Sequence, residues 1–276
     1  MISLREVQQI AYRAGVSARM IERDYVLTWV LAGIAGHPAL GPAMVLKGGT
    51  ALKKVYFAEW RYSEDLDFTA RSEIASDILQ GYLDDVSAVV HDEAEIETQI
   101  ASVEPRRDGS VLRNITVYLS YVGPLRRTRR WRQLKLDFTF DELIVSQPVR
   151  RSVRRTYSDE PEPAPEVLVY SLEEICAEKL RTLLQRTQPR DLYDVWRILT
   201  EQPGMLDLFV VSETFRQKCH HKGLSPDDLA NVLVPERVEK IRRAWQVHLA
   251  DQITDVPPLN QIVRETARSL RTHLLS

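Results

Sequence analysis

The sequence predicts an α/β (α+β) chain in which residues 1–165 mix strands with helices and residues 166–276 are mainly helical. Three observations carry this reading. Val111–Tyr121 and Trp131–Phe140 read as strands, the latter with apolar and polar residues alternating at the period of a half-buried strand. A short apolar run, Ala43–Leu46, meets Lys47-Gly48-Gly49-Thr50 and then a helix-forming stretch, Ala51–Phe57, which reads as strand, glycine turn and helix start. Beyond Asp159–Pro165, where three prolines mark a boundary between two domains, helical periodicity dominates to the end of the chain.

In chain order, residues 3–35 read as two helices. Ser3 caps the first, Gly15 ends it, and Ser17 caps a second whose Met20, Tyr25, Val26, Trp29 and Val30 recur at helical spacing. The pair resembles a helix-turn-helix, but Glu22, Asp24 and Trp29 stand where a DNA-reading helix exposes Arg, Asn or Gln, so packing against a sheet is the expectation. Ser63–Thr69 alternates acid with apolar as a strand does, and Ile74–Val90 is helical. In Trp131–Phe140, Leu134, Leu136 and Phe138 face one way and Lys135, Asp137 and Thr139 the other. A brief strand at Val167–Tyr170 precedes helices at Leu172–Arg186, Asp191–Thr200, Met205–His221, Pro235–Ala250 and Leu259–Leu275.

Composition excludes several classes. With 276 residues, 44% of them hydrophobic, the chain can bury a sizeable core without disulfides or structural metal. Cys176 and Cys219 lie far apart with no His or Cys at ligand spacing, so both are expected to be buried thiols. No apolar run spans a bilayer and the N-terminus lacks the order of a signal peptide, which places the protein in the cytoplasm with no membrane partner.

The net charge of −2 speaks against a nucleic-acid partner until its distribution is considered. Residues 101–155 hold thirteen Lys and Arg against five acids, a segment of +8 in a remainder of −10. Arg126, Arg127, Arg129 and Arg130 form its densest cluster and are the candidate RNA contacts, the alternative being a solvated hairpin.

The candidate chemistry lies in three acids and one turn. Asp65 and Asp67 are two apart on one strand and leave the same face; Asp137 alternates onto one face of a later strand. Converging carboxylates repel in a partly dry cleft, and divalent cations are the usual compensation, which implies Mg2+ or Mn2+ held by Asp65, Asp67 and Asp137. Gly48-Gly49-Thr50 supplies a turn whose backbone N–H groups can approach phosphate oxygens, with Lys47 before it and the hydroxyls of Thr50 and Ser63 beside it. For Asp137 the alternative is a pair with a nearby arginine.

Strand, Gly-Gly-Thr, short helix, Ser63-Glu64-Asp65-Leu66-Asp67 and a distant strand aspartate resemble the nucleotidyltransferase superfold typified by DNA polymerase beta, with fourteen residues between Thr50 and Asp65. Further blocks narrow the likeness. Ile21–Leu27, Leu46–Leu52, Ala177-Glu178-Lys179-Leu180 and Arg190–Val195 are similar to blocks of the AbiEii/AbiGii-type, MenT-like nucleotidyltransferase toxins, covering about residues 15–200. The resemblance implies a nucleotidyltransferase-type mixed sheet flanked by helices and followed by a C-terminal helical bundle. It implies the toxin of a bacterial toxin–antitoxin pair, which moves a nucleotide from a nucleoside triphosphate to an RNA acceptor, in some members the 3′ end of tRNA, and is restrained by a cognate antitoxin. Residue by residue, it makes Gly49 and Thr50 the phosphate turn, Asp65 and Asp67 the metal carboxylates, Lys179 the triphosphate-binding lysine and Asp191 the last acid of the catalytic set. Asp194, three residues on along a helix, faces nearly the same way, so either acid can orient Lys179 or a ribose hydroxyl. The alternative for Lys179 is a solvated pair with Glu178 or Glu174, and for the two acids a role at the helix N-terminus. Two other functions compete: nucleotidyl transfer to a small molecule such as an aminoglycoside, and a GTP- or ATP-binding regulatory module without turnover.

Overall fold

The computed structural model describes residues 1–125 and 131–274. Among these, the strands are β1 (Met44–Lys47), β2 (Asp65–Ala70), β3 (Glu97–Asp108), β4 (Val111–Val122), β5 (Arg132–Thr139), β6 (Val149–Ser152) and β7 (Glu166–Val169). They form one mixed sheet in the order β3-β4-β5-β2-β1-β7-β6, with β2 parallel to β5, β1 parallel to β7 and the other pairs antiparallel. One face of its centre is apolar: Leu46, Leu66, Phe68, Ile115, Val117, Leu134, Leu136 and Phe138 are all buried, and the rings of Phe68 and Phe138 stack at 5.5 Å. Burying each such side chain contributes about 1.5–3 kcal/mol. Because side chains alternate across a strand, the opposite face receives Lys47, Asp65, Asp67, Lys135, Asp137 and Thr116, and the core that fixes the register thereby fixes the polar set.

Helices α1 (Leu4–Ala14) and α2 (Ala18–Gly36) start at the caps read from sequence: the Ser3 side chain accepts from Glu6 N and that of Ser17 from Met20 N. Gly15 ends α1 at φ 62°, a conformation that costs glycine no Cβ clash. Helix α2 is buried on most sides, including its acids. Asp24 Oδ2 accepts from Lys54 Nζ and from Tyr157 Oη, each at 2.6 Å, while Glu22 pairs with Arg132 at 2.7 Å and accepts from Leu125 N at 2.8 Å. These acids are interior counter-charges. Helix α3 (Leu40–Ala43) leads into β1, and α5 (Ser76–Ala94) starts two residues inside the stretch expected at 74–90 and runs four residues beyond it.

The structure adds two strands that the periodicity missed. Both are sheet edges: β3 carries Pro105 and exposed charges from Glu104 on, and β6 is Val-Arg-Arg-Ser. An edge strand is solvated on more than one side and has no strict apolar alternation to betray it. The proline-rich stretch 159–165 also differs from a free linker at its start, since Asp159 accepts from Tyr25 Oη at 2.6 Å and Glu160 is buried.

The chain divides into two compact units, Met1–Glu142 with Pro148–Val169, and Leu143–Gln147 with Tyr170–Ser276. The first holds the whole sheet. The second contains α6 (Leu172–Gln185), α7 (Pro189–Glu201), α8 (Leu208–His221), α9 (Pro235–Leu249) and α10 (Leu259–His273). Helix α8 begins at Leu208, three residues after the expected Met205, because Asp207 caps it by accepting from Phe209 N and Val210 N. Segment 143–147 is stitched into the helical unit by Glu174, which accepts from Val145 N and Ser146 N, and by the fully buried Lys218, which donates to Leu143 O at 2.7 Å. Cys176 and Cys219 are free and buried; desolvation pushes their thiols up to about 12 and about 11. No described helix is long and apolar enough to cross a membrane.

Candidate active site

The parallel pairing of β2 with β5 brings the strand acids together. Asp67 is register-paired with Asp137 and Asp65 with Lys135, so three carboxylates and an ammonium leave one face of two adjacent strands. Asp137 is doubly engaged: its Oδ1 accepts from Thr116 Oγ1 on β4 at 2.5 Å, and its Oδ2 accepts from Lys135 Nζ. The alternative pair with an arginine is therefore replaced by a pair with a lysine. Burial alone would lower the pKa of Lys135, but the hydrogen bond to Asp137 and the charges of Asp137, Asp67 and Asp65 outweigh it and raise the value. The sequence placed Lys135 on the Asp137 face without assigning it a role.

The glycine turn closes the other side of Asp67. Gly48 begins a short helix, α4 (Gly48–Ala51), which continues through a π-helical turn, Leu52–Tyr56. Its φ is 72°, and a Cβ there would stand 2.8 Å from Asp67 Oδ2, so only glycine allows the carboxylate to lie against the turn. A Cβ on Gly49 would meet a guanidinium nitrogen of the buried Arg61 at 2.5 Å. Arg61 went unnoticed in the sequence, where nothing in its spacing marks a cation folded behind the turn. Thr50 is buried and its hydroxyl donates to Asp65 O at 2.6 Å, tying turn to strand. Ser63 and Lys47 are buried too, Lys47 register-paired with Asp67.

Within the helical unit, Lys179 on α6 is 8% exposed and donates to Asp191 Oδ1 at 2.8 Å, with Asp194 Oδ2 at 3.0 Å, both acids on α7. The alternative partners Glu178 and Glu174 are engaged by Lys218 instead. Asp191 also accepts from Arg186 Nε at 2.7 Å. Burial would raise the Asp191 pKa, yet Lys179 and Arg186 hold the carboxyl far below the usual carboxylate range.

The described residues of the basic segment do not form one patch. Arg106 and Arg107 lie on β3, at one edge of the sheet, and Arg150 and Arg151 on β6, at the opposite edge; all four are exposed. Others are committed internally: Arg113 pairs with Asp108 and Asp141, Arg132 with Glu22, and Arg155 with Glu162. The candidate RNA contacts Arg126, Arg127, Arg129 and Arg130 lie outside the described residues.

Among the described residues no three His, Cys, Asp or Glu side chains gather closely enough to hold one metal ion. The donor chemistry nevertheless fits: Asp65, Asp67 and Asp137 are hard oxygen ligands of the kind Mg2+ and Mn2+ take, and the sheet register sets them side by side.

A family model described as "Nucleotidyl transferase AbiEii toxin, Type IV TA system" matches residues 29–270. No curated protein matches the chain. Among solved structures, MenT4, a nucleotidyltransferase toxin from Mycobacterium tuberculosis H37Rv, is 19% identical over 98% of this chain and 90% of its own, with a TM-score of 0.63. JHP933 from Helicobacter pylori is 18% identical over 93% of this chain and 92% of its own, with a TM-score of 0.57. At such identities the likeness is one of fold.

Proposed function

The chain belongs to the AbiEii family of nucleotidyltransferase toxins of type IV toxin–antitoxin systems, and from that premise we propose that it moves a nucleoside monophosphate from a triphosphate to an RNA acceptor, the 3′ end of tRNA. Such a modification blocks translation. Membership implies a nucleotide substrate and a cognate antitoxin; a cytoplasmic location, where triphosphates and tRNA occur, is part of the proposal.

The observation that carries this reading is the pairing of Asp67 with Asp137 across parallel strands, with Asp65 on the same face and the Gly48 turn against Asp67. In the proposed reaction an acceptor hydroxyl attacks the α-phosphorus, a new P–O bond forms, the α–β bridge breaks and pyrophosphate leaves. Asp65, Asp67 and Asp137 would hold Mg2+ or Mn2+, which supplies Lewis-acid stabilisation of the charge developing on attacking and leaving oxygens. Asp137 is assigned the hydroxyl proton. Backbone N–H groups of the Gly48-Gly49-Thr50 turn bind phosphate oxygens, with Lys47 and Ser63 beside them, and the Thr50 hydroxyl holds that turn to β2. Lys179 is assigned the point cation for the triphosphate, with Asp191 and Asp194 fixing its ammonium.

Incubation with total RNA and each labelled triphosphate in turn tests the proposal. Label is expected in a tRNA-sized species, to vanish in EDTA, and to fall by about 100-fold or more in Asp67→Ala, as for loss of a group that stabilises transition-state charge. Undiminished transfer by Asp67→Ala would sink the assignment, and label confined to a small molecule would replace the acceptor.

A further inference from the structure

Lys135 lies within the very set of groups that the function above needs. It is register-paired with Asp65, two residues from Asp137 on the same strand, and on the same face as Asp67. Its ammonium occupies one Asp137 oxygen, and the Thr116 hydroxyl occupies the other. An isolated surface ion pair would set one lysine against one acid. Here one ammonium faces acids on two adjacent strands, in register, with its side chain 38% exposed and that of Asp137 22% exposed. A divalent cation that takes an Asp137 oxygen needs the lone pairs that the ammonium uses, and it repels the ammonium at that range. The four-carbon stem of lysine, partly open to solvent, lets the head group leave.

Resting on the metal-site reading above, we propose that Lys135 is a displaceable counter-ion of the aspartate site: its ammonium and a divalent cation compete for Asp137. The lysine offsets carboxylate repulsion, so the strands keep their register at low cation concentration. In doing so it sets the site's affinity below that of bare carboxylates. The sequence feature behind this is the Lys135-Leu136-Asp137 spacing, which places cation and anion on one strand face.

Mn2+ binding to the full chain, followed by the loss of the free-ion paramagnetic signal, tests the proposal without any turnover. Lys135→Met and Lys135→Gln are expected to tighten Mn2+ binding by about two- to five-fold, the scale of one partly exposed ion pair of up to about 1 kcal/mol. They are also expected to melt at a lower temperature in EDTA and to gain more on Mn2+ addition than the wild type does. Lys135→Arg, which keeps the charge, is expected to hold or weaken the affinity. Circular dichroism identifies any variant that fails to fold, and the remaining substitutions then decide. Asp67→Asn separates the two layers of inference. If it abolishes Mn2+ binding while the neutral Lys135 variants bind no more tightly than the wild type, Lys135 is not the competitor and the metal site stands. If Mn2+ binding survives Asp67→Asn undiminished, the metal-site reading fails and the lysine proposal falls with it.

Discussion

Asp191 keeps its charge in a place where burial should remove it. A carboxylate taken out of water loses solvation, and only the paired cations Lys179 and Arg186 reverse that cost. Its depressed pKa gives the pH dependence a definite sign. Asp191 contributes stability that is fully present above about pH 4, the unfolded carboxylate value, and is lost as pH falls through the lower folded value. Asp191→Asn is therefore expected to cost about 3 kcal/mol in urea unfolding at pH 7, because it leaves a buried cation short of a partner. The deficit should shrink as pH falls below 4. In the two thiols burial is the dominant influence: with values of about 12 and about 11, Cys176 and Cys219 are expected to resist a thiol reagent at pH 8 until denaturant is added. The sequence predicted the thiols' burial from their isolation, and it offered both Asp191 and Asp194 as partners of Lys179. The structure retains both, since two acids three apart on a helix reach one ammonium.

At the scale of elements, the glycine turn and the strand edges teach different lessons. Gly48 combines a φ of 72° with a carboxylate where a side chain would begin. Gly48→Ala is expected to destabilise the fold by about 1–3 kcal/mol, the range for a strained left-handed residue, and to reduce transfer further by moving Asp67. Thermal melts alongside the labelling assay read both effects, and an unchanged melting temperature would refute the strain argument. The turn was legible because strand, glycines and helix start follow one another within about ten residues. Strands β3 and β6 were not, since an edge lacks the alternation that burial imposes on β2, β4 and β5. Helix α2 hid its meaning in another way: Glu22 and Asp24 read as acids unfit for DNA, but their partners Arg132, Lys54 and Tyr157 lie from 30 to more than 100 positions away.

For the whole molecule, the charge count needs geometry before it has meaning. A +8 segment in sequence includes, among its described residues, two exposed arginine pairs on strands at opposite edges of the sheet. An RNA that tracks one edge engages one pair. Reversing Arg106 and Arg107, or separately Arg150 and Arg151, is expected to lower the salt dependence of RNA binding by about one to two released ions for the engaged edge and leave it unchanged for the other. Filter binding at several salt concentrations measures the slopes, and equal loss from both edges would contradict the one-edge reading.

By itself the sequence determined the order of the helices and of the strands with a buried face, the polar and apolar faces of β2 and β5, and the family blocks, because each depends on near-neighbour spacing along the chain. Only the tertiary structure decided that β2 lies parallel to β5 in the register that pairs Asp67 with Asp137 and Asp65 with Lys135. Strand neighbours are chosen by burial of the apolar face against residues far away in sequence, and no local pattern encodes which strand that will be.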